Sequence, residues 1–441
     1  MENKRSGRFR IHAVNTAGFF VFGLALLMML SGLTVNANPL GIVDRLEHSG
    51  GMYGTGNKVT AQPMVNPQPL QKISLEYAFE KNGQYVVNLG NDTEAVLSLE
   101  PFLQHRAERF LKKSRVPFGA IVAIEPRTGR VLAYASYSEF DPKGKFYNIS
   151  KAYKAASLFK IITAEAILSE KKVPVDEELC YHGGRSRLSE RLLKDNPRMD
   201  HRCMTFEQAM GHSANVIFAR LAYKNLTPDT LKRHAGMFFF GEDIPFEVPI
   251  DRSIANIPDD PEEMAITSAG FGDVRITPIH AAMIAGAVGN YGDMMRPTLV
   301  DSIREVGGRT LSDSVQGTLG NVSNSKTAGL LSSMMYTTTT EGTARKAFRK
   351  KGGSIDFKND IPIAGKTGSL SDREPFMQNL SWYAGFGPVE DPQIAVAVLI
   401  VNHRVLKTKA SYAARDLLEE YFKNLNSVAS VSKYRQYAHK N

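Results

Sequence analysis

The sequence predicts an α/β (α+β) fold in which an antiparallel sheet is sandwiched by helices. The run Ile394 to Val401 is apolar at every position, so both of its faces must be covered. Gly119 to Glu125 and Val131 to Ala135 are strand-like and joined by the turn residues Pro126-Arg127-Thr128-Gly129, which reads as a hairpin. Around these strands lie stretches with apolar residues at three-and-four spacing, the pattern of helices able to do the covering. With 441 residues, 43% of them hydrophobic, the chain has material for one large core or two smaller ones.

Taken in order, residues 1–12 carry Lys4, Arg5, Arg8 and Arg10 against Glu2, and the mostly apolar run 13–35 follows. That length crosses a bilayer, and the basic flank puts the N-terminus in the cytoplasm. Val35-Asn36-Ala37 also fits a signal-peptidase site, but the run exceeds a usual signal core and favours an uncleaved anchor. In either case the rest is exported. Residues 36–96, rich in Gly, Asn, Pro and Gln, read as a partly ordered linker too short for a second catalytic domain. The main domain is assigned to residues 97–425, opening with Leu97 to Gln104 and a helical pattern through Leu111.

After the hairpin, Phe146 to Ala156 leads into a helix that bears Ser157 and continues to about Ser169. Thr205 to Ala222 and Ile279 to Val288 are helical in pattern, Thr298 to Ile303 is strand-like, and Gly307 to Ser325 reads as a surface excursion. Phe238-Phe239-Phe240 reads as core. Pro362 to Gly365 runs into Lys366 as a strand, with Gly365 and Gly368 small enough for a ligand backbone to lie alongside. Ser381 to Gly387 and Gln393 to Val401 are further strands, joined through Asp391-Pro392. Lys407 to Phe422 is a closing helix, and the basic tail 426–441 is expected to fray. Cys180 and Cys203 are the only cysteines; in an oxidising compartment a bridge between them would stabilise the fold by about 3 kcal/mol, and without paired histidines they make a poor zinc site.

Composition excludes some functions. The net charge of +9 is dispersed, with no Lys/Arg block interleaved with aromatics, so nucleic acid is not an expected partner. There is no Gly-x-x-x-x-Gly-Lys-Ser/Thr loop for a nucleotide, and neither a metal nor another cofactor is called for.

The chemistry lies in three short segments. Ser157 and Lys160 are three apart, so on a helix the amine reaches the hydroxyl. A serine needs a base to become a nucleophile, and a lysine becomes one when burial among groups such as Leu158, Phe159, Ile161 and Ile162 lowers its pKa. Ser-x-x-Lys alone is weak, since it also occurs at Ser169/Lys172, Ser323/Lys326 and Ser430/Lys433. Further on come Ser213-Ala214-Asn215, the single Ser-x-Asn, and Lys366-Thr367-Gly368-Ser369, the single Lys-Thr-Gly. Ser and Asn compete with helix backbone bonds, so the second segment suits a break in its helix facing a cleft.

These three boxes, in this order, resemble those of the penicillin-binding proteins and class A β-lactamases, and the chain resembles a penicillin-binding transpeptidase domain. The resemblance extends to Gly270-Phe271-Gly272, Thr277-Pro278, Gly342-Thr343-Ala344 and Trp382 to Pro388, with phenylalanine at 271 where the family carries a polar residue. It implies a β-lactamase/transpeptidase-like sheet with an added all-helical subdomain. It also implies that Ser157 attacks the carbonyl between two D-alanines of a peptidoglycan stem peptide, with Lys160 as base and Ser213 relaying a proton to the leaving amine. Asn215 is then expected to bind the substrate backbone, Lys366 to attract the terminal carboxylate, Thr367 and Ser369 to hydrogen-bond it, and Gly368 to let the substrate lie alongside the strand. The backbone amides of Ser157 and Ser369 are expected to form an oxyanion hole, and β-lactams to acylate Ser157.

Transfer of the acyl group to a second stem peptide gives a cross-link; transfer to water gives carboxypeptidase action, and the boxes do not distinguish the two. The family resemblance favours a membrane-bound bacterial transpeptidase facing the periplasm, working with a glycosyltransferase that supplies glycan strands. A class A β-lactamase is disfavoured by the absence of Glu-x-x-Leu-Asn. A β-lactam sensor is disfavoured by the short stretch before the apolar run, and a non-catalytic scaffold by the retention of every box.

Overall fold

The computed structural model describes residues 72–142, 148–184, 188–349, 355–357, 360–372, 378–403 and 406–438. A five-stranded antiparallel sheet lies at the centre, in the spatial order Ala364–Asp372, Gln378–Gly387, Ile394–Asn402, Phe118–Ile124, Val131–Tyr137. Every residue of Ile394–Asn402 is buried, yet the strand period of two divides them between two cores. Ile394, Val396, Val398 and Ile400 pack with Leu103, Leu111, Leu417 and Phe422 from the helices Pro101–Ser114 and Ala410–Ala438. Ala395, Ala397, Leu399 and Val401 face the larger core, which includes Ile279, Met283 and Ala287 of the helix Pro278–Gly289. The expected sandwich is therefore present.

Pro278–Gly289 is buried at every position, as a helix apolar all round must be. His280 on it is kept neutral because burial pushes its imidazole down to about 4, and its Nε2 lies 2.7 Å from the Phe238 carbonyl. Phe238 and Phe240 are buried, in agreement with the core reading. Beyond this helix lies a helical subdomain containing Lys160–Ser169, Phe206–His212, Asn215–Asn225, Pro228–Met237, Pro261–Ser268 and Ser325–Thr340. Its helix starts are written locally. Thr205 and Gln208 close a capping box, and Thr227-Pro228 and Asp260-Pro261 each pair a capping oxygen with a proline at the first turn, as Thr277-Pro278 does for the sandwich helix.

Two readings are corrected. The linker assigned up to residue 96 is, from Phe79 on, three antiparallel strands, Phe79–Lys81, Gln84–Gly90 and Thr93–Leu97, which pair through the last of them with Val300–Glu305. Its Asn and Gly residues are hairpin chemistry: Asn82 and Gly83 both have positive φ, as do Asn91 and Asp92. The segment after Gly307 is mostly exposed, as expected of a surface excursion, and two more strands lie within it, Thr310–Asp313 and Thr318–Asn321. The closing helix continues to Ala438 instead of giving way to a tail at 426.

Cys180 and Cys203 are bridged across directly opposed positions of the strands Glu178–Tyr181 and Arg202–Thr205. Among the described residues no helix is long and apolar enough to cross a membrane. The apolar run 13–35 lies outside the described residues, as do residues 1–12 and the first part of the 36–96 segment.

Candidate active site

The nucleophile candidate sits at a junction between sheet and helices. A short 3-10 turn, Ala156–Phe159, feeds the helix Lys160–Ser169, and Ser157 is half-buried while Ala155, Ala156, Leu158 and Phe159 around it are buried. The turn is held from both sides. Trp382 Nε1 donates to the Lys154 carbonyl at 2.9 Å from the sheet, and the Ala155 amide donates to the Val274 carbonyl at 2.9 Å. Ala156 has φ +48° without being glycine, a left-handed conformation that persists only where the surroundings impose it. One such constraint is Gly270, where a Cβ would lie 2.4 Å from the Ala156 carbonyl oxygen, so only glycine lets that loop close on the turn.

Lys160 is fully buried, and its Nζ lies 2.8 Å from Ser157 Oγ, 2.7 Å from Asn215 Oδ1 and 2.5 Å from the Ala269 carbonyl oxygen. Burial holds its pKa well below the ordinary lysine value, and the neighbouring Lys366 pushes it the same way. A neutral amine has two N–H donors and one lone pair. The Asn215 and Ala269 oxygens can only accept, so they take the two donors and leave the lone pair for the Ser157 hydroxyl. This is the arrangement of a base beside its nucleophile. Next to the Ala269 carbonyl, Thr163 Oγ1 donates to the carbonyl of the preceding residue, Ser268, at 2.8 Å.

The second box breaks its helix as expected: Phe206–His212 ends at Ser213, with φ +56°, and a new helix begins at Asn215. Ser213 Oγ accepts from Lys366 Nζ at 2.8 Å, and the same nitrogen donates to the Thr367 carbonyl at 2.9 Å. Lys366 lies on the edge strand Ala364–Asp372 and is fully buried, which lowers its pKa to about 7. The strand reaches the nucleophile turn at Gly368, where a Cβ would stand 3.3 Å from the Ala155 carbonyl and 3.1 Å from Trp382 Cβ. Thr367 is half-buried and Ser369 exposed, on the open side.

The structure thus brings all eight sequence-assigned residues into one region, with differences in detail. Asn215 gives its Oδ1 to Lys160, a bond that the sequence reading did not assign. The space beside Gly365 is filled by the Tyr383 hydroxyl, 2.3 Å from where a Cβ would be, and not left for a ligand. Phe271 packs against the larger core. The Ala269 carbonyl was missed because a backbone acceptor leaves no signature in residue type. A further contact, Thr343 Oγ1 to Thr367 Oγ1 at 2.5 Å, was also missed, although Gly342-Thr343 had been noted.

A pH effect follows from Lys366. In the unfolded chain it keeps its proton up to its ordinary value of 10.5, and in the folded chain it releases it near 7. Between those values the unfolded state holds more protons, so stability rises with pH across that window, while below about 7 the burial penalty is constant. Thermal unfolding should therefore show Lys366→Met more stable relative to the unaltered chain at pH 6.5 than at pH 9. A gap independent of pH would show that Lys366 is not the buried, readily neutralised amine described.

A family model described as penicillin binding protein transpeptidase domain matches residues 119–425. The chain is 27% identical over 318 residues to the peptidoglycan D,D-transpeptidase PbpA of Mycobacterium tuberculosis (strain ATCC 25618 / H37Rv), covering 64% of this chain and 62% of that protein. It is 26% identical over 328 residues to stage V sporulation protein D of Bacillus subtilis (strain 168), covering 69% of this chain and 49% of that protein, so it spans less than two thirds of either relative. Among solved structures, the D,D-transpeptidase domain of a peptidoglycan glycosyltransferase from Eggerthella lenta superposes with a TM-score of 0.62 at 25% identity, covering 75% of this chain and 83% of that one. The imipenem acyl-enzyme complex of penicillin-binding protein A from M. tuberculosis shares the fold with a TM-score of 0.62 at 23% identity, covering 74% and 79%.

Proposed function

Because the chain belongs to the penicillin-binding protein transpeptidase family, we propose that it is a peptidoglycan D,D-transpeptidase working through an acyl-enzyme on Ser157, and that β-lactams inhibit it by acylating the same oxygen. The observation that carries the reading is the buried Lys160 amine, with two acceptors for its protons and its remaining position against Ser157 Oγ.

In this mechanism Ser157 Oγ attacks the carbonyl carbon of the penultimate D-alanine while its proton passes to Lys160 Nζ. The oxyanion is held by the backbone amides of Ser157 and Ser369. The C–N bond then breaks, and the departing amine of the terminal D-alanine takes a proton through Ser213, which lies against Lys366. Thr367 and Ser369 hydroxyls bind the terminal carboxylate, and its negative charge raises the affinity of Lys366 for a proton, so the ammonium forms as substrate arrives. An amine from a neighbouring stem peptide then attacks the ester, giving the cross-link and freeing Ser157. The anchor reading of residues 13–35, with a cytoplasmic N-terminus and a periplasmic catalytic domain, forms part of this proposal, as does a glycosyltransferase partner for glycan strands.

The test follows the ester by mass spectrometry with a pentapeptide ending in D-Ala-D-Ala, with and without an amine acceptor. Cross-linked product that depends on the acceptor is expected. Free tetrapeptide acid alone, whatever acceptor is present, would overturn transpeptidation in favour of a carboxypeptidase.

A further inference from the structure

Thr343 lies outside the three boxes but touches the third of them and the helix end that leads into the second. It follows the helix Ser325–Thr340, and its backbone amide donates to the Gly211 carbonyl at 3.0 Å, two residues before Ser213. Its Oγ1 lies 2.5 Å from Thr367 Oγ1 and 3.4 Å from the same Gly211 carbonyl. The approach depends on the preceding residue, since a Cβ on Gly342 would sit 2.0 Å from the Gly211 oxygen. A clasp therefore joins the end of the Phe206–His212 helix to the Lys-Thr-Gly strand, and Thr343 bonds to both sides of it.

A hydroxyl has one proton, and a carboxylate can only accept. If the Thr367 proton points at Thr343, Thr367 offers a carboxylate only lone pairs. If Thr343 donates to Thr367, the Thr367 proton is available to the ligand. The alternative acceptor for the Thr343 proton, the Gly211 carbonyl, is more distant and already takes the Thr343 amide. The shorter path is onto Thr367.

We propose that Thr343 is a positioning residue that fixes the Thr367 hydroxyl as a donor toward the carboxylate of the acyl donor and ties that strand to the Ser213 segment. The inference rests on the acyl-transfer reading above. It assigns Thr343 no contact with the reacting atoms; its effect is on recognition of the carboxylate.

The test compares acylation of the full chain by benzylpenicillin and by its methyl ester, which lacks the carboxylate charge. Thr343→Val should slow acylation by the free acid by about tenfold, the loss of one charge-assisted hydrogen bond, through weaker initial binding instead of slower bond formation. The ester rate should change by less than about twofold, and Thr343→Ser should restore the free-acid rate. Thr343→Ala provides the same contrast if the valine variant folds poorly. Thr343→Val should also add nothing to Thr367→Val, because the second hydroxyl acts only through the first. Equal losses on acid and ester, additive losses in the double variant, or no loss at all would overturn the proposal. Those outcomes require an acylated parent chain; a parent that neither compound acylates would overturn the acyl-transfer reading and this inference with it.

Discussion

Ser157→Ala is expected to lose covalent labelling by fluorescent penicillin completely while keeping its fold. The expectation of a large effect comes from the site having one activated oxygen: Lys160 gives its lone pair to Ser157, whereas Ser213 accepts from Lys366, which keeps that hydroxyl from being stripped by the same base. Loss of a nucleophile that acts as a unit with its base costs on the order of a millionfold in rate. The fold should survive because Ser157 is half-buried and its neighbours Ala155, Leu158 and Phe159 carry the local packing. Near-UV circular dichroism and thermal midpoint should match those of the parent. Reversible binding of penicillin should remain, since Thr367 and Ser369 are untouched. Labelling that persists in the variant, mapped by peptide mass to Ser213 or elsewhere, would refute the assignment of the nucleophile.

What was legible in the sequence follows from how locally each feature is encoded. Ser157 and Lys160 meet because one helical turn separates them, so their pairing is written within four positions. The run Ile394 to Val401 was legible because burial on both faces leaves it without a polar residue, whichever core each side chain enters. The strands between Phe79 and Leu97 were misread because their turns use Asn and Gly, the residues that also mark a tether, and only pairing with Val300–Glu305, about two hundred residues away, distinguishes the two. The left-handed backbone at Ala156 and Ser213 had no signal, since neither residue is glycine and both conformations are imposed by packing from elsewhere in the chain. The same holds for Ala269, whose side chain is irrelevant to what its carbonyl does. The boxes name the groups of the proposed chemistry, whereas the atoms that lie against them are backbone oxygens and side chains from elsewhere in the chain.

Lys160→Arg should be nearly as damaging as loss of the serine, and more informative. Arginine keeps a positive charge and hydrogen-bond donors at the position but cannot act as a base at any pH the protein survives. If Lys160 acts as an ammonium that merely steadies Ser157, arginine should retain much of the acylation rate. If it acts as the neutral amine that its burial and the adjacent Lys366 favour, the rate should fall by about a thousandfold, within the range general-base catalysis supplies. The pH profile separates the two further. In the parent chain, acylation should climb as pH rises through the lowered pKa of Lys160 and then level off; in the arginine variant that climb should vanish. Lys160→Met, apolar and of similar volume, controls for packing: it should match the arginine variant in rate while relieving the buried amine of its desolvation cost. A methionine variant that still acylates within about tenfold of the parent would move the base elsewhere, and Lys366, with its own pKa lowered to about 7 and its Nζ on Ser213, would be the amine left to consider.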